Sequence, residues 1–160
     1  MRFSGRGTRN AGRAALLLLA LGAPLAAQDI GLEVGSVAPS AAVENLDGSA
    51  ADLSKWVGKQ PVLLEFWATW CGNCAQLEPT MRAMHTKYGK QVAFVAVAVS
   101  VNQSLERVKL HVEKHAMPWT TVYDRKGNAS GGYDAPATSY IVVLDKSGKV
   151  VYTGLGGKQD

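Results

Sequence analysis

An α/β domain is the fold class that this 160-residue sequence predicts, and three observations predict it. Two apolar runs, residues 62–67 and the valine-alanine alternation of residues 91–101 around Phe94, read as strands buried in a sheet. A helix-permissive stretch from Cys71 to about Lys87 lies between them and a second amphipathic stretch follows, so the chain reads strand, helix, strand, helix. The turn signal Asp145-Lys146-Ser147-Gly148 then splits the last apolar residues into a hairpin. A composition that is 47% hydrophobic and 19% charged is ordinary for one soluble domain with its own core.

Each element has a local reason. Residues 28–40 form a short lead-in that looks mobile, with Gly35-Ser36-Val37-Ala38-Pro39 marking the entry to the domain. Residues 42–46 are expected to make a first strand, Asp47-Gly48 a tight turn, and residues 51–57 a brief return ahead of Gly58-Lys59-Gln60-Pro61. Residues 62–67 are apolar but for Glu65, which fits a central strand. On the helix from Cys71, the residues Leu77, Met81, Met84 and Tyr88 mark a core stripe. Pro79 has no N–H to donate and is expected to kink this helix near residues 74–75, and Gly89 closes it. Asn102 or Ser104 can cap the next helix, which turns Leu105, Val108 and Val112 inward and Glu106, Arg107, Lys109, Glu113 and Lys114 to solvent. Residues 119–123 make a short strand after Pro118, and residues 124–134 a glycine-rich connection with one turn of helix at 128–133. Residues 139–144 and 149–152 are the hairpin strands. The order is β-β, β-α-β, α, β-β, without internal repeats.

The formal net charge of +4, from 17 basic and 13 acidic residues, is concentrated at the N-terminus. Arg2, Arg6, Arg9 and Arg13 precede the apolar run 14–21, which leads to small residues at Ala26 and Ala27. That pattern predicts a signal peptide over residues 1–27, its apolar run being too short for a comfortable membrane span. Cleavage would leave 13 basic residues against 13 acidic ones, so the charge gives no ground for a nucleic-acid partner. The expected organisation is a leader over 1–27, a lead-in over 28–40 and one domain over 41–160, exported to a periplasmic or other extracytoplasmic compartment. An uncleaved leader would instead anchor the chain to the membrane.

The chain's two cysteines both lie in one stretch, Phe66-Trp67-Ala68-Thr69-Trp70-Cys71-Gly72-Asn73-Cys74. The first turn of a helix brings residues i and i+3 together, so these thiols can close a disulfide with little backbone movement. The leading sulfur, Cys71, then sits at the helix N-terminus, where unpaired N–H groups and the macrodipole favour the reactive thiolate. A bridge across two residues closes too small a loop to stabilise the fold much, so the pair argues for dithiol/disulfide exchange. Glu65, the lone charge of an apolar strand, is costly there unless paired or protonated, and is the candidate proton acceptor for a shielded Cys74 thiol. Trp70 is placed beside the disulfide, Gly72 lets another backbone come close, and Trp56, Trp67 and Trp119 read as core. No metal site is expected, since zinc needs two further ligands and His85, His111 and His115 have no ligand-like spacing from the pair. His111 and His115, four residues apart on a helix, read as a solvated face. Covalent haem would need a histidine directly after Cys74, where Ala75 stands.

The run Pro61-Val62-Leu63-Leu64-Glu65-Phe66-Trp67-Ala68-Thr69-Trp70-Cys71-Gly72-Asn73-Cys74, with Pro79 downstream and residues 35–39 upstream, resembles the thioredoxin superfamily over about residues 34–152. An exported chain of this kind is similar to the TlpA/ResA branch of thiol-disulfide oxidoreductases. The resemblance implies a thioredoxin-like fold, a central mixed β-sheet flanked by helices. It also implies Cys71 as attacking thiolate, Cys74 as resolving thiol and Glu65 as the buried acid. Protein disulfides would be the substrates, and a membrane electron donor would stand in place of any bound cofactor. A cis-proline should open the strand facing the disulfide, with neighbours that pair with substrate backbone. Either Pro136 fills that place, about three residues earlier than the pattern expects, or Thr138 and Ser139 stand in. Candidate substrate-binding residues are therefore Trp70, Gly72, Asn73, Pro136, Thr138 and Ser139. Asn73 stands where many relatives carry proline or histidine, so the helix-end field on Cys71 is this chain's own. The sequence stops eight residues after Tyr152, so the terminal helix that usually covers the sheet is expected to be absent or truncated.

These residues point to an exported reductant of protein disulfides, those of apocytochromes c or copper-site proteins among them. A disulfide-introducing oxidant would use the same residues at a higher potential. A Cu(I)-binding module would hold the metal on the two thiolates.

Overall fold

The apolar run after Pro61 becomes β3 (Val62–Trp67), and every residue of it is buried. The computed structural model describes residues 31–158, so the expected leader lies outside the described residues. Around β3 are β1 (Ala42–Asn45), β2 (Ala50–Asp52), β4 (Ala93–Val99), β5 (Thr120–Asp124), β6 (Tyr140–Leu144) and β7 (Val150–Leu155). The helices are α1 (Gly72–Tyr88), α2 (Leu105–His115) and the short α3 (Asn128–Gly132). The seven strands join in the order β2-β1-β5-β4-β3-β6-β7, with β3, β4 and β5 parallel and the other neighbours antiparallel. Parallel neighbours need crossovers, and α1 and α2 supply them, which gives the mixed sheet flanked by helices that the resemblance implies.

Strand alternation divides the core between the two faces. Val62, Leu64 and Phe66 pack with Val95, Val97, Tyr133 and Tyr140 on one side. Leu63 and Trp67 pack with Phe94, Ile141, Leu77, Met81 and Val108 on the other, beneath α1 and α2. Glu65 shares its parity with Leu63 and Trp67, so alternation turns it toward the helices. Its lateral neighbours are Ala96 on β4 and Ile141 on β6, and the small alanine leaves space above that face.

Several expectations need correction. The lead-in is pinned from residue 31 onward and is not loose: Leu32 donates its N–H to the Tyr140 hydroxyl (2.9 Å), Gly35 to the Val150 carbonyl (2.7 Å) and Ala38 to the Gly148 carbonyl (2.9 Å). The return expected over 51–57 ends early, because the Asp52 carboxylate accepts the Ser54 N–H (2.8 Å) and caps a 3-10 turn, Leu53–Lys55, that buries Leu53. Ser104 caps α2 by accepting the Arg107 N–H (3.2 Å), while Asn102 takes a positive φ of 53°. α1 holds Pro79 within its length and Gly89 at its C-cap, as the sequence predicts. Met84, expected in the core, is 39% exposed. It rims an open apolar groove of about 300 Å³ with Leu63, Leu77, Met81, Ile141 and Tyr152, and among the described residues no helix follows β7.

α3 is too short to hold itself and is fixed by Asp124, a residue 1% exposed at the end of β5. Its carboxylate accepts the N–H of Ala129 (3.2 Å) and both the N–H and hydroxyl of Ser130 (2.8 Å each). Asp124→Ala is expected to destabilise the fold by about 1–3 kcal/mol, because buried donors lose their acceptor. A urea midpoint within error of the parent's would refute this role.

Candidate active site

Cys71 and Cys74 form a disulfide with their Cα atoms 5.3 Å apart. Cys71 is the N-cap of α1: its backbone is extended (φ −81°, ψ 107°) and its Sγ accepts the Cys74 N–H at 3.1 Å. The sulfur therefore occupies the position from which an anion is stabilised by the first-turn N–H groups. The turn between β3 and α1 is held from the side, where the Gln103 side chain accepts the Thr69 N–H (2.8 Å) and the Gln103 carbonyl accepts the Tyr123 hydroxyl (2.9 Å). Trp70 is 45% exposed and donates its indole N–H to the Val101 carbonyl (2.8 Å). Gly72 and Asn73 are exposed, and a Cβ at Gly72 would meet nothing within 4 Å, so the approach to the disulfide is open there. A Cβ at Gly157 would lie 2.9 Å from the Asn73 carbonyl oxygen, so the segment after β7 packs tightly on the start of α1.

The structure separates the three residues considered for the strand that faces the disulfide. Tyr140 pairs with Phe66, which sets Ser139 beside the end of β3, and the Ser139 N–H donates to the Phe66 carbonyl at 2.7 Å. Ser139 is fully buried with a φ of 67°, a left-handed conformation that costs a serine about 1 kcal/mol, and its Oγ finds no partner among the described residues. Thr138 meets Trp70, Val99 and Val101 around a groove of about 260 Å³. Pro136 is exposed and does not line that groove.

Beneath the disulfide lies a cavity of about 40 Å³ lined by both cysteines, Glu65, Glu78, His111 and His115, with Trp67 and Trp119 among the other residues of its wall. Glu65 is 4% exposed, and its carboxyl makes no hydrogen bond among the described residues. Burial, with a smaller push from the Glu78 charge, raises its pKa from 4.5 to about 8. Burial also acts against ionised Glu78, but the hydrogen bond and charge of Arg82 (2.7 Å), together with His115 (3.2 Å), outweigh it and hold that carboxyl below the usual range. The buried indole N–H groups of Trp67 and Trp119 have no acceptor among the described residues.

The histidine pair departs from its sequence expectation. His111 and His115 are not a solvated face: they are half-buried, stack at 4.0 Å with 11° between their planes, and line the cavity below the sulfurs. Trp67 and Trp119 are core residues that also wall the site, and Glu78 was not singled out at all. The i, i+4 histidine pair and the acid preceding Pro79 carried a signal, but only the packing of α2 against α1 shows that they converge.

A disulfide at a helix N-terminus, open to solvent at Gly72 and backed by an acid that holds its proton near neutral pH, can be opened by an attacking thiolate and, once a dithiol, can reduce another disulfide, with the acid beside it to manage the proton involved. The redoxin family profile matches residues 33–160. The chain is 33% identical over 125 residues to thioredoxin-like protein YneN of Bacillus subtilis, covering 77% of this chain and 72% of that one. It is 32% identical over 151 residues to thiol-disulfide oxidoreductase ResA of Geobacillus thermodenitrificans, covering 91% and 86%. Among solved structures, a candidate thiol:disulfide interchange protein DsbE from Chlorobium tepidum superposes with a TM-score of 0.70 at 30% identity, over 79% of this chain and 88% of that one. The thioredoxin domain of a thiol-disulfide oxidoreductase from Bacteroides vulgatus does so with a TM-score of 0.68 at 25% identity, over 79% and 91%.

Proposed function

Because the chain belongs to the redoxin family of the thioredoxin superfamily, as a ResA/TlpA-like thiol-disulfide oxidoreductase, we propose that it works outside the cytoplasm as a reductant of protein disulfides. The observation that carries this reading is the Cys71–Cys74 disulfide at the start of α1 with Glu65 in the same cavity. In the reduced protein the Cys71 thiolate attacks a client disulfide, forming a mixed disulfide and releasing one client thiolate. Cys74 then gives its proton to the Glu65 carboxylate and attacks Cys71 Sγ; the Cys71–Cys74 bond forms and the second client thiolate leaves. Trp70, Gly72 and Asn73 present the open side to the client, and Thr138 and Ser139, with Pro136 further out, border the backbone that a client segment would lie along. A membrane electron donor would return the pair to the dithiol, and apocytochromes c or copper-site proteins are clients of fitting chemistry. Export rests on the basic and apolar pattern of residues 1–27, and among the described residues no helix is long and apolar enough to cross a membrane.

Equilibration of the pair against glutathione buffers, with an insulin-disulfide reduction assay alongside, tests the direction. A reductant is expected at about −250 mV or below, whereas a value near about −120 mV would make the protein an oxidant and overturn the proposal. Fractionation of the expressed chain with N-terminal sequencing tests the location, and recovery in the cytoplasm with residues 1–27 intact would refute it.

A further inference from the structure

The exchange steps above use both sulfurs and Glu65 and leave His111 idle, although it lines the same cavity. Its ring is held from both sides, stacked on His115 at 4.0 Å and packed against Trp67 at 5.2 Å. His115 is in turn fixed by Glu78 (3.2 Å), which Arg82 anchors (2.7 Å). We infer that His111 is the proton-bearing counter-ion of the thiolate formed when Cys71–Cys74 opens, so that the pair takes up a proton at an imidazole as it takes up two electrons.

The groups facing His111 favour this cycle. From α2 come His115, Lys114 and Arg107; from α1 come Glu78 and, behind it, Arg82; from β3 comes Glu65. In the disulfide form, burial first and then the charges of His115, Lys114 and Arg107 hold the His111 pKa below its usual value, with Glu78 opposing them. Opening the disulfide puts a negative charge into that cavity, where an opposite charge is favoured strongly because little water screens it. Glu65, which keeps its proton up to about pH 8, adds no second negative charge at neutral pH. The step balances. A reducing dithiol gives two electrons to the sulfur-sulfur bond and becomes a disulfide; of its two protons, one goes to the His111 ring and one to a cysteine sulfur. The site then holds a thiol, a thiolate and an imidazolium. The coupling operates whichever way electrons run through the pair.

The test uses the intact protein. Imidazole resonances are followed through a pH titration by NMR, in the oxidised protein and again after reduction with excess dithiothreitol, with His85, which does not line the cavity, as the internal reference. The His111 midpoint is expected to rise by about one unit or more on reduction. An equal midpoint in the two redox states overturns the inference, and this comparison needs no variant. His111→Asn adds a second readout: the ultraviolet thiolate signal of the reduced pair should appear at a pH about one unit higher. In glutathione buffers below neutral pH, its dithiol/disulfide ratio should change by up to about tenfold, or about 30 mV, toward the disulfide. His111→Lys, which keeps a cation, should retain the low thiolate midpoint. Thiolate titration in His111→Asn that matches the parent also overturns the inference.

Discussion

Cys71→Ser is expected to abolish disulfide exchange, lowering insulin reduction by on the order of 10³-fold or more. The reason is that the hydroxyl left at the N-cap cannot ionise at neutral pH and cannot form a mixed disulfide, whereas the sulfur it replaces accepts the first-turn N–H of Cys74 at 3.1 Å. Cys74→Ser should behave differently. It keeps the attacking sulfur and loses the resolving one, so it should stop after one turnover as a covalent adduct with the client, visible by mass spectrometry without reductant. The asymmetry is the test: if Cys74→Ser loses the first attack and Cys71→Ser keeps it, the two roles are reversed. Stability is a separate matter, since a bridge between residues three apart constrains the unfolded chain only slightly.

Glu65→Gln should stabilise the protein at alkaline pH while slowing its chemistry. The folded-state pKa of about 8 lies above the ordinary 4.5, so between those values the folded chain keeps a proton that the unfolded chain has lost. Stability therefore falls as pH rises through that window, by a total on the order of 4–5 kcal/mol once pH exceeds 8. The glutamine variant carries no such charge, so its advantage in urea denaturation should be absent near pH 4 and grow steadily toward pH 8.5. Exchange should show the opposite cost. The parent rate is expected to climb as the carboxylate forms through about pH 8, and Glu65→Gln should lose that limb, with a rate about 10- to 100-fold lower at its upper end. Two identical pH profiles would remove Glu65 from the proton transfer, and a flat stability difference would show that the buried acid is not held protonated.

The two cysteines and Glu65 were legible in the sequence because their signals are local. Two cysteines separated by two residues, after an apolar strand and before a helix, state their geometry in one turn of chain, and a single acid among five apolar neighbours states its own desolvation. Strand alternation even places Glu65 on the helix-covered face with Leu63 and Trp67. Ser139 was harder. Counting along the chain left Pro136 and the pair Thr138 and Ser139 as rivals, and the register of β6 on β3 set Ser139 at the Phe66 carbonyl.

The amino-acid order by itself determined the α/β class, the strand that carries the acid, the helix that begins at Cys71 and the thiol chemistry, since each depends on neighbours within a turn or a strand. Tertiary structure alone decided that Glu78, His111 and His115 meet the disulfide at one cavity, and that the lead-in is bound to the β6-β7 hairpin. The Glu78–His115 contact and the hydrogen bonds from the lead-in to the hairpin join residues 37 to 115 positions apart. Which face of a helix such residues occupy can be read from spacing, but what that face meets depends on how the packed elements share the sheet.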